Sequence, residues 1–100
     1  MENKIMKKNL EKVELICEIS DFTNERKLQI LDLLRKLGNQ PHIFLTNQKN
    51  IELLYAYSLD FLSFEISNDF VLMKTIVDEE ENTTEISFDI IEAEIEKFLH

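Results

Sequence analysis

Carboxylates in the second half of the chain are the residues whose number and spacing could do chemistry. Residues 51–100 hold thirteen Asp and Glu against two Lys and Arg, whereas residues 1–50 hold seven against nine, and the 100 residues carry a formal charge of −9. Carboxylates bind calcium, transfer protons or attract basic groups. The run Asp78–Glu81 lacks the glycine and alternating spacing of a calcium loop. The surplus charge therefore predicts attraction to basic protein surfaces and repulsion of nucleic acid and anionic membranes.

The other reactive side chains are too few and too scattered for a catalytic or metal site. The chain has one cysteine, Cys17, and two histidines, His42 and His100. A metal centre needs converging ligands, and nucleophilic catalysis needs a nucleophile beside a base. Cys17 lies among apolar residues and is predicted to be in the core, while His42 is predicted to lie in a loop or at a strand edge. We expect a protein that is not an enzyme and that uses no cofactor and no metal.

An acidic surface is predicted from three neighbouring segments. The run Asp78–Glu81 is expected in a hairpin loop, where such a run is usually a solvated turn. The alternative is that it joins a strand face and a helix flank in one continuous negative surface. Such a surface is predicted to occupy a groove built for phosphates, because carboxylates at near-phosphate spacing collect the same Arg and Lys contacts. The predicted partner-binding residues are Asp78, Glu79, Glu80, Glu81, Glu85, Asp89, Glu92 and Glu96.

Helical periodicity dominates the first 40 residues. A helix is predicted over 4–20, with a strand over 13–19 as the alternative. A second helix is predicted over 24–37, between a stretch rich in capping residues (20–23) and Gly38, which Pro41 follows. Residues 42–46 are predicted to form a short strand or a turn, and Asn47 to cap a third helix over 48–58. The apolar stripe of the first helix comprises Met6, Leu10, Val13, Ile16 and Cys17.

Residues 60–90 are predicted to form a three-stranded antiparallel meander, with strands over 61–67, 70–77 and 84–90. A two-residue turn at Asn68 and Asp69 joins the first two strands, and a loop centred on Glu80 and Glu81 joins the last two. Both turns select the same apolar face. The first turn pairs Ile66 with Val71, Phe64 with Met73 and Leu62 with Thr75. The second pairs Val71 with Ile90, Met73 with Phe88 and Thr75 with Ile86.

The opposite face of the meander is too apolar for a solvated surface. It carries polar residues together with four large apolar ones, which predicts that a helix or another chain covers part of it. The apolar residues are Phe61, Phe70, Leu72 and Ile76.

The predicted fold class is α+β, in which N-terminal helices pack on a three-stranded antiparallel β-meander and a C-terminal helix closes the domain. That last helix is predicted over 90–99, with Asp89 as its N-cap and Glu92 at the capping-box position. An apolar content of 44% is enough for one core. Residues 1–100 are therefore predicted to form a single domain that is helical over 1–58, a meander over 60–90 and helical over 90–99.

Size, acidity and amino-acid usage together define a functional profile. Gly, Ala, Pro and Arg number six, whereas Ile, Lys and Asn number twenty-nine, which indicates an AT-rich genome. This profile is similar to that of small phage-encoded inhibitors of bacterial defence, including anti-CRISPR proteins. The resemblance rests on no motif and assigns no residue a role. It implies a non-enzymatic inhibitor that binds a basic, nucleic-acid-binding protein.

The predicted partner is therefore a basic protein, without direct binding of nucleic acid or membrane, and a homodimer is a further possibility. The predicted compartment is the bacterial host cytoplasm, because the chain has no apolar signal segment, no membrane span and no cysteine pair.

Two other functions stay open. An acidic chaperone or immunity-type partner would bind through the apolar opposite face of the meander, and salt would weaken its complex little. A DNA-binding regulator would contact phosphates through Arg26, Lys27, Arg35 and Lys36 on the N-terminal helices.

Overall fold

The described residues contain three α-helices and five strands. The computed structural model describes residues 4–38 and 41–100, with side chains from residue 7 onward. The elements are α1 (Lys4–Ile19), α2 (Asn24–Leu37), β1 (His42–Leu45), β2 (Ile51–Tyr57), β3 (Asp60–Ile66), β4 (Val71–Val77), β5 (Glu80–Ile86), a 3₁₀ turn (Phe88–Ile90) and α3 (Ile91–Leu99). The strands form one antiparallel sheet in the order β1-β2-β3-β4-β5. The α+β class is confirmed, with five strands where three were predicted.

The first helix forms where apolar residues recur at helical spacing. The helix predicted over 4–20 is confirmed, and the alternative strand over 13–19 is wrong. Leu10, Val13, Ile16 and Cys17 are all buried on one side of α1. The side chain of Met6 lies outside the described residues.

The second helix has the predicted bounds and is closed at both ends by its neighbours. The hydroxyl of Thr23 accepts a hydrogen bond from the N–H of Arg26 at 3.1 Å, which caps the N-terminus. At the other end Gly38 has a φ of 72° and donates its N–H to the carbonyl of Leu34 at 2.9 Å. A positive φ favours glycine because it has no Cβ.

The helix predicted over 48–58 is wrong, because those residues form β2 and the turn before it. Ile51, Leu53 and Tyr55 are buried, and this period of two belongs to a strand. Residues 46–50 make a hairpin turn from β1, in which the N–H of Thr46 donates to the carbonyl of Asn50 at 2.9 Å. The predicted cap, Asn47, lies within this turn. The N-terminal helical part therefore ends at Leu37 rather than at 58.

The β3–β4 hairpin has the predicted register. Its turn is Asn68 and Asp69, and the N–H of Ser67 donates to the carbonyl of Phe70 at 3.0 Å. The predicted pairs are confirmed: Ile66 with Val71, Phe64 with Met73, and Leu62 with Thr75.

The β4–β5 hairpin turns earlier than predicted. Asp78 and Glu79 form a two-residue turn with φ of 51° and 67°, so Val77 pairs with Glu80. The register is four residues away from the predicted one, and an even shift leaves each side chain on its face. The observed pairs are Val71 with Ile86, Met73 with Thr84 and Thr75 with Asn82.

The chain after β5 leaves the sheet instead of extending it. Phe88 and Ile90, predicted to lie in a strand, form the 3₁₀ turn. The hydroxyl of Ser87 accepts the N–H of Asp89 at 3.4 Å, so Ser87 caps this turn. The predicted N-cap at Asp89 is therefore wrong. The predicted C-terminal helix is confirmed as α3, although no side chain caps its first turn.

The core lies between the helices and one face of the sheet. Phe64 is fully buried at the centre of β3, and residues from all three helices join it in one cluster. On the helix side these include Val13, Ile30, Leu34 and Ile91.

Asn68 ties the β3–β4 turn to the connection between α1 and α2. Its Oδ1 accepts the N–H of Thr23 at 2.8 Å, and its Nδ2 donates to the carbonyl of Asp21 at 3.3 Å. Its own carbonyl accepts from Nη2 of Arg26 at 3.3 Å. The same guanidinium lies 5.1 Å from the centre of the Phe88 ring. Asn68 and Arg26 therefore hold the helical hairpin, the β3–β4 turn and the 3₁₀ turn together.

We expect Asn68→Ala to lower the free energy of unfolding by about 1 to 2 kcal/mol, because two side-chain hydrogen bonds are lost. Chemical denaturation followed by circular dichroism measures this change. Asn47→Ala is the matched control, since Asn47 is exposed in a turn. Equal stabilities of the two variants would contradict the linking role of Asn68.

We expect Glu79→Gly to raise the free energy of unfolding by about 0.5 to 1 kcal/mol, because glycine removes the Cβ strain of a positive φ. Glu79→Ala removes the same charge and keeps the Cβ, so it separates backbone strain from electrostatics. Thermal melts of both variants test this, and a Glu79→Gly variant no more stable than Glu79→Ala would contradict it.

Candidate protein-binding surface

One face of the sheet carries no described helix. Paired residues of neighbouring strands point to the same face, and the inner set, which includes Leu53 and Phe64, packs against the helices. The other set is called the open face here. It comprises His42, Phe44, Glu52, Leu54, Ala56, Phe61, Ser63, Glu65, Leu72, Lys74, Ile76, Glu81, Thr83 and Glu85. Within the open face only Ser63 is buried, so the other side chains reach solvent.

The centre of the open face is apolar and slightly concave. Phe61 is 39% exposed, and Leu54, Leu72 and Ile76 are half-buried. A groove of about 270 Å³ lies among the side chains of β2, β3 and β4. Because Ser63 is small and only 7% exposed, it leaves a depression between larger neighbours. The groove is lined by Glu52, Leu54, Phe61, Ser63, Lys74 and Ile76.

The predicted apolar opposite face of the meander is largely this surface. The register confirms that Phe61, Leu72 and Ile76 share one face. Phe70 precedes β4 and is half-buried in the turn. The described helices cover the other side of the sheet, so the alternative that a helix covers this face is wrong for the described residues.

Carboxylates outnumber cations on the open face. It holds Glu52, Glu65, Glu81 and Glu85 against Lys74. The Nζ of Lys74 lies 2.7 Å from Oε1 of Glu81. The hydrogen bond to Glu81 and the charge of that carboxylate raise the pKa of Lys74, and Glu52 adds a smaller contribution in the same direction. Lys74 therefore stays charged at neutral pH and neutralises part of a surface that remains negative.

The four glutamates differ in how firmly they are held. Oε2 of Glu65 accepts from Nδ2 of Asn50 at 2.8 Å and from Oγ1 of Thr46 at 3.4 Å, so the β1–β2 turn fixes this carboxylate. In the described part of the chain, Glu52 and Glu85 form no salt bridge within 4.0 Å. These two carboxylates are therefore available to a cationic partner without breaking an existing pair.

The eight residues predicted to bind a partner are divided among strand β5, the tip of the β4–β5 hairpin, and the segment from the 3₁₀ turn to α3. Glu81 and Glu85 lie on the open face, and Glu80 lies on the inner side of the same edge strand. Asp78 and Glu79 form the hairpin tip, where the N–H of Asp78 donates to Oδ1 of Asp60 at 3.3 Å. Asp89 and Glu92 line a cavity of about 210 Å³ beside α2. Glu96 is exposed on α3.

The helix-side acids therefore lie apart from those of the open face. Glu92 shares its cavity with Asp32 and Lys36 of α2, which belong to the layer that covers the inner face. A single flat ligand cannot contact Glu85 on the open face and Glu92 at the helix layer at once. The predicted continuous surface of eight residues therefore loses Asp89, Glu92 and Glu96, and its remaining acids lie on β5 and at the hairpin tip.

The structure places the cysteine in the core and His42 at the edge of the sheet. Cys17 is buried in the core, as predicted, and desolvation raises the pKa of its thiol, which disfavours the reactive thiolate. His42 is exposed at the start of the edge strand β1. Residues 4–38 and 41–100 contain no cluster of three or more His, Cys, Asp or Glu that could hold a metal ion.

Two basic residues of α2, Arg26 and Lys36, make contacts within the fold. Nη1 of Arg26 donates to Oε1 of Gln29 at 3.1 Å, in addition to its contacts with Asn68 and Phe88. The Nζ of Lys36 lies 3.6 Å from Asp32. Two of the four cations proposed for DNA binding thus have partners within the fold, which weakens the case for a phosphate-binding patch there.

Comparison with protein-family models, curated proteins and solved structures finds no match. None of the helices in the described residues is long and apolar enough to span a membrane.

Two residues that line the groove were not predicted as part of a site, because they lie in the segment 48–58 that was predicted to be a helix. Glu52 and Leu54 line the groove, and β2 places them between the buried Ile51, Leu53 and Tyr55. The alternation of these five side chains was the available signal. It would have identified a half-buried strand and, with it, a wider open face.

Proposed function

We propose that this chain is a non-enzymatic binding protein that docks a basic protein on the open face of its sheet and blocks the surface it covers. The observation that carries the proposal is the one-sided packing of the sheet. Helices cover the inner face, whereas an apolar centre with surplus carboxylates is left on the outer face. Exposed apolar patches of this kind, with polar surroundings, are typical of protein interaction sites.

The size of the open face suits a protein partner. Five strands about 4.8 Å apart and seven residues rising about 3.4 Å each give a face of roughly 20 by 24 Å. One partner of a standard interface contributes about 800 Å² of accessible surface. The projected face supplies more than half of that area, and the neighbouring edge of β5 can supply the remainder.

The charges of the two layers determine which charge the partner's binding surface should carry. Helices α1, α2 and α3 together carry nine Lys and Arg against eight Asp and Glu, whereas the open face carries four Glu against Lys74. A basic surface is therefore attracted more strongly to the open face than to the nearly neutral helix layer, and this difference orients the complex.

A nucleic-acid-binding protein is the partner class that this charge pattern favours. Carboxylates can occupy a groove lined by Arg and Lys for phosphates, which blocks the natural ligand. With the similarity of profile to phage inhibitors of bacterial defence, this makes an anti-CRISPR-like inhibitor the specific form of the proposal. In that form the imitation of nucleic acid depends on Glu52, Glu81 and Glu85 rather than on the acids of α3.

The second candidate is an acidic chaperone or immunity-type partner. The exposed phenyl ring of Phe61 and the half-buried Leu72 and Ile76 favour it, because an apolar client segment could cover them. The two candidates differ in how salt affects binding, since screening weakens charge pairs and leaves apolar contacts in place.

We expect the double substitution Phe61→Ser and Ile76→Ser to weaken partner binding by about tenfold or more, because it removes the apolar centre of the interface. The partner is captured from lysates of AT-rich Gram-positive hosts, purified, and its Kd measured by calorimetry. The matched control is Leu15→Ser with Leu28→Ser, since each leucine is 57% exposed on the helix layer. An affinity reduced equally by both pairs, or by neither, would overturn docking on the open face.

We expect the double charge reversal Glu81→Lys and Glu85→Lys to weaken binding at an ionic strength of about 0.05 M, mainly through slower association, and to matter little at about 0.5 M. Glu11→Lys with Glu14→Lys makes the same change of charge on the exposed side of α1. Stopped-flow association rates compare the two variants. If salt leaves the affinity of the wild type unchanged, the result contradicts imitation of nucleic acid and favours the chaperone or immunity-type function.

A further inference from the structure

Strand β5 forms ladder hydrogen bonds on one side only. It pairs with β4 from Glu80 to Ile86, and it ends the strand order of the described sheet. The side chains from Glu80 to Glu85 are all exposed, on both faces of the strand. A seven-residue edge exposed in this way is a template for an added strand.

The turn geometry identifies the free backbone groups of β5. Positive φ at both Asp78 and Glu79 is the signature of a type I′ turn, which closes on a hydrogen-bonded pair, here Val77 and Glu80. Residues of an antiparallel pair alternate between bonding their partner strand and facing away from it. Glu81, Thr83 and Glu85 therefore direct their N–H and C=O groups to the free edge.

The opposite edge of the sheet is a poorer template. Strand β1 has four residues and packs against α1. The Nζ of Lys12 lies 5.7 Å from the centre of the Phe44 ring, so an α1 side chain lies over that edge strand. An added strand would find fewer backbone groups there and a helix nearby.

The side chains of β5 define what can pair with it. Glu81 and Glu85 lie on the open-face side with Thr83 between them. Oε1 of Glu81 is held by Lys74, which leaves its second oxygen as an acceptor. A second copy is disfavoured, because antiparallel pairing of two β5 strands about Thr83 would place Glu81 opposite Glu85 at both ends.

We propose that β5 receives an extended basic segment of the partner as a sixth strand, with Lys or Arg residues four positions apart opposite Glu81 and Glu85. The inference rests on the proposed function, because it names the part of the basic partner that binds. Backbone hydrogen bonds to Glu81, Thr83 and Glu85 supply the pairing, and the two carboxylates supply the selectivity for a basic strand. The added strand also widens the open face toward the docked protein.

The test uses a short acetylated and amidated peptide of Lys, Thr and Val with two lysines four positions apart. Amide hydrogen exchange by NMR reports the pairing. We expect saturating peptide to slow amide exchange at Glu81, Thr83 and Glu85 by about tenfold. An analogue that is N-methylated at the alternate amides facing β5, those of the two lysines and of the residue midway between them, should give no protection. Protection elsewhere in the sheet, or absence of binding, overturns the inference.

Thr83→Pro provides the matched test within this chain. It removes an N–H that faces the free edge and leaves the bonds to β4 intact, since proline is tolerated on edge strands. Thr83→Val keeps the N–H and is the control. We expect the peptide to bind Thr83→Pro about tenfold more weakly than Thr83→Val, and equal affinities would overturn strand addition. Circular dichroism of both variants shows that the fold is retained, and the N-methylated peptide tests the same bonds on the wild-type chain.

The two proposals can fail separately. If the purified partner binds Thr83→Pro as it binds Thr83→Val but binds the Phe61→Ser and Ile76→Ser double variant more weakly than the wild type, strand addition is wrong and docking on the open face stands. If the Phe61→Ser and Ile76→Ser double variant binds as the wild type does, the proposed function is wrong whatever the peptide shows.

Discussion

The shared register of five antiparallel strands is the constraint on which the rest of the structure depends. Each strand can turn only every second side chain to the helices. Because Leu53, Phe64 and Met73 are aligned beneath the helices, their neighbours are aligned on the outer surface. One set of pairings therefore decides both the content of the core and the content of the open face.

This coupling gives the molecule two layers that differ in charge. The helical hairpin is basic on its solvent side, and two of its cations serve the fold, Arg26 through Asn68 and Phe88 and Lys36 through Asp32. The sheet is acidic on its solvent side, and its carboxylates are held by only a few neighbours. A surface with spare carboxylates around an apolar groove is suited to binding a protein partner.

The sequence predicted those parts of the fold in which one periodicity had no competitor. In α2 the apolar spacing, Thr23 and Gly38 agree, so both ends were predicted correctly. Residues 48–58 fit two periods, because Ile51, Leu54 and Tyr55 have helical spacing while Ile51, Leu53 and Tyr55 alternate. The tertiary burial of the alternating set decided the outcome. The β4–β5 register was missed for a different reason, since a four-residue shift preserves both faces and hydrophobic pattern cannot detect it.

The candidate site was predictable only where the strand register was predicted correctly. Phe61, Leu72 and Ile76 were assigned to one face because the Asn68 turn set their register. The acids of α3 were assigned to the wrong neighbourhood, since nothing in the sequence tells on which side of the sheet a following helix packs. Glu85 lies on the open face because it pairs with Leu72, and the even shift in register leaves its side chain on that face.

The most direct test of the account is a methyl-labelled NMR titration of the protein with its purified partner. Leucine and isoleucine methyl groups report both layers of the structure in one experiment. Docking on the open face predicts that the signals of Leu54, Leu72 and Ile76 shift first, while those of Leu15 and Leu28 on the helices stay unchanged. Shifts confined to the helix layer, with the sheet methyl groups unaffected, would contradict the account.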